Sequence, residues 1–364
     1  MIYLDNAATS RPYPEVIELT SELMATAYFN NSSNHDMGMD IDNRIKKAKE
    51  TLLKLLNAPT GELVFTSGGT ESNNLAIMAK GKKHVLTTEA EHPSVSSAIA
   101  QLKNSGVVVE CVALDEQGLV NLADLKSKLT PETGLVSIME INNETGVIQD
   151  ISAIGQVVKA HSKATFHVDG VAAFGKKQMN LSQVDLYTIS SHKVHGPQGV
   201  GALYVRKGVN LRPMLFGGDQ QNKVRPGTEN RIGILGFAQA AQLTYERLEA
   251  TTQQVEGLKR ALQAIVTDLP AVEVNSGDCP YTLNLSFTGL KAQVLVNALS
   301  EAGIYVSTGA ACSGKSNHNV LKAIGKPQPI YDSAIRFSFS QFNTLTEIEE
   351  TVSVLKRLVP LLRI

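Results

Sequence analysis

Cysteine is scarce in this chain: 364 residues carry only Cys111, Cys279 and Cys312, an odd number without metal-ligand spacing. Neither a disulfide framework nor a structural zinc site is expected, and free thiols are the default. Charge of either sign is in no excess, with 34 Lys and Arg against 35 Asp and Glu, scattered rather than clustered. The electrostatic footprint of a protein that binds nucleic acid or an anionic membrane surface is therefore missing. No apolar run reaches the length that spans a bilayer, and Met1-Ile2-Tyr3-Leu4-Asp5 contains no basic stretch leading into an apolar one, which predicts a cytoplasmic protein. Repeats, low-complexity tracts and flexible linkers are also missing. The length exceeds what one hydrophobic core usually supports, so two domains packed together are expected.

What is present is an alternation. Short apolar runs at Leu63–Thr66, His84–Thr87, Val107–Val109, Leu135–Ile138, Thr165–Val168 and Leu186–Ile189 are separated by helical patterns. Continuous apolar strands between helices predict the α/β class, with a mainly parallel sheet covered on both faces. Beyond about Arg247 the pattern changes to an amphipathic stretch at Val255–Leu269, a strand at Leu283–Phe287, a helix near Ala292–Ala302 and strands at Ile304–Val306 and Ile335–Phe339. This predicts a smaller α+β domain, which the N-terminal segment returns to join. The expected boundaries are 15–246 for the large domain, with 1–14 and 247–364 forming the small one.

Functional residues of parallel sheets collect past the carboxyl ends of the strands, and the polar clusters of this chain stand there. Ser67-Gly68-Gly69-Thr70-Glu71-Ser72-Asn73-Asn74 follows a strand and opens a helix; it reads as an anion site built from glycines, a hydroxyl and free helix N–H groups, or as a capped helix after a tight turn. Asp169 ends a strand, where it can hold a ring nitrogen protonated or simply cap a turn. Lys193, in Ser190-Ser191-His192-Lys193, follows another strand among small and polar residues. Desolvated there, its amine would be nucleophilic; solvated, it would be an ordinary surface lysine. His92 before Pro93 and Asn143 in Asn142-Asn143-Glu144-Thr145-Gly146 are candidate ring contacts or turn residues. Arg336, a charge within a strand, suggests a fork for a carboxylate or a structural ion pair. Cys312 lies in the small-residue segment Ser307-Thr308-Gly309-Ala310-Ala311-Cys312-Ser313-Gly314, near Lys315 and His318, a setting for a reactive thiol. Cys111, inside an apolar strand, is expected to be inert, and Cys279 to be a loop thiol.

In chain order these pieces resemble the pyridoxal-phosphate cysteine desulfurases, the NifS/IscS-like branch of the class V aminotransferase family. The resemblance runs from Tyr3-Leu4-Asp5-Asn6-Ala7-Ala8-Thr9 to Arg336-Phe337-Ser338-Phe339-Ser340, and includes Glu91-His92-Pro93, His167-Val168-Asp169 and Arg225-Pro226-Gly227-Thr228-Glu229-Asn230. It implies fold type I with a seven-stranded, mainly parallel sheet, pyridoxal 5'-phosphate as cofactor, L-cysteine as substrate and a homodimer. It further implies that Lys193 forms a Schiff base with the cofactor, Asp169 pairs with the ring nitrogen and His92 stacks on the ring. Gly69, Thr70, Ser190 and His192 would hold the phosphate, with Thr228 supplied across the dimer interface. Arg336 and Asn143 would position substrate and cofactor oxygens, and Cys312 would accept the sulfur as a persulfide, leaving L-alanine.

Three departures from the family pattern stand out. Ala172 occupies the place, three residues after Asp169, where the family usually has Gln, so a hydrogen bond to the phenolic oxygen of the cofactor is expected to be missing or supplied by another group. Asn30-Asn31-Ser32-Ser33 replaces the usual Asn-Pro-Ser-Ser. The segment between Cys312 and Val320-Leu321 is about two residues shorter than in the housekeeping iron–sulfur type, which resembles specialised NifZ-like desulfurases that feed a tRNA-thiolation enzyme. The expected acceptor is thus a tRNA-thiolation enzyme or an iron–sulfur scaffold. Another class V aminotransferase or lyase, a selenocysteine lyase among them, and a degenerate scaffold subunit are the alternatives.

Overall fold

The computed structural model describes residues 1–78, 83–267, 269–308 and 320–363. Twelve strands lie among these residues: β1 Ile2–Tyr3, β2 Glu62–Thr66, β3 His84–Thr87, β4 Val108–Cys111, β5 Thr133–Met139, β6 Thr165–Asp169, β7 Leu186–Ser190, β8 Gly201–Val205, β9 Val272–Val274, β10 Thr282–Phe287, β11 Ile304–Tyr305 and β12 Ala334–Ser338. Seven of them form one sheet in the order β2-β8-β7-β6-β5-β3-β4. Only β8 runs against its neighbours, antiparallel to both β2 and β7, while the pairs from β7 to β4 are parallel. The mainly parallel α/β sheet follows from the runs of apolar residues: every residue of β6, β7 and β8 is buried, as strands covered on both faces require.

The first core packs Phe166, Val168, Ile189, Phe174 and Phe237 between this sheet and its helices. Each such side chain contributes about 1.5–3 kcal/mol on burial. Strand β8 is absent from the sequence expectation, because its apolar run opens on Gly201, a weak strand former. That glycine is required by packing: a Cβ there would lie 2.7 Å from the backbone of Gly68, so β8 can approach the turn that opens the helix Gly69–Met78.

The expected apolar strand at Val107–Val109 corresponds to β4, but β4 is the sheet edge, and Val108 and Cys111 are exposed. Cys111 is therefore in a strand, as expected, but at the exposed edge of the sheet, paired with Thr87. Its thiol is nonetheless raised above the usual value, chiefly by partial desolvation, so little of it is thiolate. Cys279 lies in a loop, as expected, and is buried.

The C-terminal part builds a second core, with Leu283, Leu285, Ile335, Phe337 and Leu355 at its centre. Strands β12-β10-β9 form an antiparallel sheet, and the helices Leu248–Gln263, Ala292–Glu301 and Leu345–Leu362 carry its apolar partners. The last helix begins in a capping box: Thr344 accepts from the Glu347 N–H while the Glu347 carboxylate accepts from the Thr344 N–H. Ile2 and Leu4 are buried in this core, because β1 pairs in parallel with β11, Ile2 opposite Ile304 and Tyr3 opposite Tyr305. Among the described residues no helix is long and apolar enough to cross a membrane, and no cluster of His, Cys, Asp and Glu is arranged to hold a metal ion.

Candidate active site

A cavity of about 530 Å³ opens at the carboxyl ends of β5, β6 and β7. Its lining includes Gly69, Thr70, His92, Asn143 and Asp169, and also Ser190, His192, Lys193 and Arg336. Nine side chains or backbone positions singled out from the sequence thus meet in one place. Thr228 does not: it is exposed and lines a separate cavity with Ser67 and Arg225. Cys312 lies outside the described residues, but the described chain lines the cavity at Thr308 and again at Val320.

Each group is placed by a local device. Gly69 and Thr70 begin a helix directly after β2, leaving unpaired N–H groups and the positive end of the helix dipole at the cavity. Gly69 admits no side chain without displacement, since a Cβ would sit 2.8 Å from Val171 Cγ2. His92 caps the helix Pro93–Asn104, its Nδ1 accepting from the Ser94 N–H at 3.1 Å. Asp169 closes β6; it accepts from the Val171 N–H at 3.0 Å and from Asn73 Nδ2 at 2.8 Å. Lys193 ends the 3₁₀ turn Ser191–Lys193 that follows β7, and its amine donates to the carbonyls of Ala7 and Ala8.

Burial sets the protonation states. Desolvation, assisted by the charges of Arg336 and Lys176, lowers the Lys193 amine from 10.5 to about 7, so a large neutral fraction exists at neutral pH. Desolvation also lowers His92, and the Lys193 charge adds to this while Asp169 opposes it. His192 falls to about 4 for the same first reason. Glu91, beside His92 in sequence, is pushed up to about 8 by burial, against the hydrogen bonds it accepts from Thr88 Oγ1 and the Met139 N–H, so its carboxyl is largely neutral at pH 7. Arg336, 4% exposed, donates to the Asn143 carbonyl at 3.0 Å and to Asp5 Oδ1 at 2.7 Å. Hydrogens on both terminal guanidinium nitrogens remain for an incoming carboxylate.

Asp5, Asn73, Glu91 and Ser94 also line the cavity although the sequence reading assigned them no role. All four belong to motifs singled out there or adjoin them, and that was the available signal.

The profile described as Aminotransferase class-V matches residues 2–351. The chain belongs to the class V aminotransferase family. Within that family it is similar to the cysteine desulfurase of Trichormus azollae, 39% identical over 377 residues covering 100% of this chain and 94% of the relative. Among solved structures it is similar to a NifS-like protein at a TM-score of 0.93 and 35% identity, covering 99% of this chain and 100% of that one. A NifS-like protein from Rickettsia africae ESF-5 superposes at 0.91 with 31% identity and 99% coverage of both chains. These class V relatives place the chain in the cysteine desulfurase branch, whose members are generally pyridoxal-phosphate dependent.

Proposed function

We propose that this enzyme removes sulfur from L-cysteine with pyridoxal 5'-phosphate as cofactor, passing it to Cys312 as a persulfide and releasing L-alanine. The observation that carries the reading is the meeting of a desolvated, deprotonatable Lys193 amine with the Asp169 carboxylate and Arg336 in one cavity. The residues present fit the cofactor. Ser190 lines the cavity, and its buried Oγ has no hydrogen-bond partner among the described residues, an expensive state unless a ligand completes it. With the helix N–H groups at Gly69 and Thr70 and with His192 beside it, it would hold the phosphate. Asp169 would hold the ring nitrogen, His92 the ring face, and Asn143 a ring oxygen. Ala172 lines the cavity and has no polar side chain to add.

When bound, the cofactor supplies an aldehyde for covalent capture of amines and a ring that withdraws electrons from the substrate Cα. Lys193 Nζ, neutral in part near pH 7, would hold the cofactor through its aldehyde and is the amine that would take up and return a proton beside the substrate. Arg336 fixes the substrate carboxylate through its free fork. His92 offers an imidazole proton at the cavity wall. Cys312 is four residues beyond Thr308, so at most about 14 Å of extended chain separates it from the cavity wall.

The division of the chain that accompanies this reading is 15–246 for cofactor binding, with 1–14 and 247–364 as the smaller unit carrying Cys312. A second copy of the chain would bring Thr228 to the phosphate, which agrees with its exposure. The acceptor of the persulfide is a tRNA-thiolation enzyme or an iron–sulfur scaffold. The test is absorbance: protein loaded with pyridoxal phosphate develops a band near the visible edge, which borohydride bleaches while fixing the cofactor covalently onto Lys193. A band that persists in Lys193→Ala overturns the assignment.

A further inference from the structure

Asn73 and Ser94 form a buried chain of hydrogen bonds between two cavity groups, and elementary bookkeeping fixes the direction of every link. Asn73 is 1% exposed, on the helix Gly69–Met78; Ser94 is 8% exposed, in the first turn of the helix Pro93–Asn104. Asn73 Nδ2 has two hydrogens. One goes to Asp169 Oδ2 at 2.8 Å, the other to Ser94 Oγ at 2.8 Å. A reversed amide would set its oxygen against the carboxylate, so this orientation is the one the charges allow. Ser94 Oγ is therefore an acceptor toward Asn73, and its own hydrogen is left for His92 Nδ1, 2.7 Å away. The Ser94 N–H points at the same nitrogen at 3.1 Å. Two donors converge on Nδ1, which must offer a lone pair, so the neutral ring carries its proton on Nε2.

The arrangement has a cost. Asn73 Oδ1 is buried without a partner among the described residues, and an apolar residue of similar size would avoid that penalty. We propose that Asn73 and Ser94 are positioning residues that hold His92 as the Nε2–H tautomer and join it to the Asp169 carboxylate, so that imidazole and carboxylate act as one hydrogen-bonded unit. The proposal rests on the reading of His92 and Asp169 as cofactor contacts. Forming the imidazolium would require Ser94 to turn its hydroxyl away from Nδ1, and Asn73 holds that hydroxyl in place. The charged groups that act on His92, Asp169 in favour of its protonation and Lys193 against, are unchanged by substitution at Ser94.

The test uses full-length, cofactor-loaded protein labelled with ¹⁵N-histidine, with His92 assigned from a His92→Gln variant. In the wild type the His92 resonances show a hydrogen on Nε2 and a bare Nδ1. In Ser94→Ala and Asn73→Ala the Nδ1–H form gains population, and the acid limb of the turnover profile moves up by about half to one pH unit, the value of one hydrogen bond. Ser94→Thr restores the Nε2–H form, and the double variant shifts no further than Ser94→Ala alone, because Asn73 acts through Ser94. Two results overturn the proposal: Nδ1–H in the wild type, or an Asn73→Ala shift that is undiminished in the Ser94→Ala background. If Asn73→Ala does not fold, the wild-type tautomer and the Ser94→Ala and Ser94→Thr pair decide. Alanine formed by a wild type whose His92 carries Nδ1–H sinks this proposal alone, whereas no alanine from a wild type with Nε2–H sinks the functional reading alone.

Discussion

Arg336 reaches across 331 residues of sequence to Asp5, its guanidinium donating to the carboxylate at 2.7 Å. The contact ties β12 to the segment that follows β1 and turns the guanidinium at the cavity wall. Lysine at this position would keep a charge near Asp5 but lose the planar fork. Arg336→Lys is expected to raise KM for L-cysteine about 10- to 100-fold, the value of a charge-assisted hydrogen bond of about 1.5–3 kcal/mol, while kcat changes less. Steady-state kinetics check this, and an unchanged KM would contradict the role.

Capture of the cofactor depends on an unprotonated Lys193. With its amine lowered to about 7 by burial, the neutral fraction grows as pH rises through that value and levels off above it. The rate at which cofactor-free protein develops its visible-edge band should follow the same curve. A rate that is flat from pH 6 to 9 would mean that the amine is not the titrating group.

His195 makes a separate prediction about stability. Its ring packs on Tyr13 with centroids 4.5 Å apart, Nδ1 meets the Arg11 carbonyl at 2.7 Å, and burial lowers it from 6.5 to about 4. Between those values the unfolded chain binds a proton that the folded chain does not. Stability from this group is thus fully present above pH 6.5 and is lost as pH falls toward 4. Its backbone φ of 64° lies in the left-handed region, which Asn tolerates better than most residues. In His195→Asn the fall in melting temperature between pH 7 and pH 5 should shrink; an equal fall would assign the acid sensitivity elsewhere.

The parts that could be read from the sequence share one property: they are written locally. Strands β5, β6 and β7 announce themselves as continuous apolar runs, and Asp169 and Lys193 could be singled out because strand ends in parallel sheets are where such groups gather. What escaped reading is long-range. The union of Asn73, Ser94 and Asp169 joins two helix starts to a strand end, and no spacing rule encodes it. The pairing of Asp5 with Arg336 is of the same kind. Strand β8 hid behind a glycine whose reason, contact with Gly68, exists only after folding. Cys111 lies in a strand as expected, but its exposure escaped reading because an apolar run does not reveal that its strand is the edge of the sheet.

The central claim is that Cys312 accepts sulfur from L-cysteine, and the direct test is paired quantification of alanine and sulfide from cofactor-loaded protein with excess thiol reductant. Wild type should produce the two in equal amounts, and Cys312→Ala neither, although its visible-edge band is intact. Equal turnover by both proteins would contradict the account, since the sulfur would then leave the substrate without Cys312.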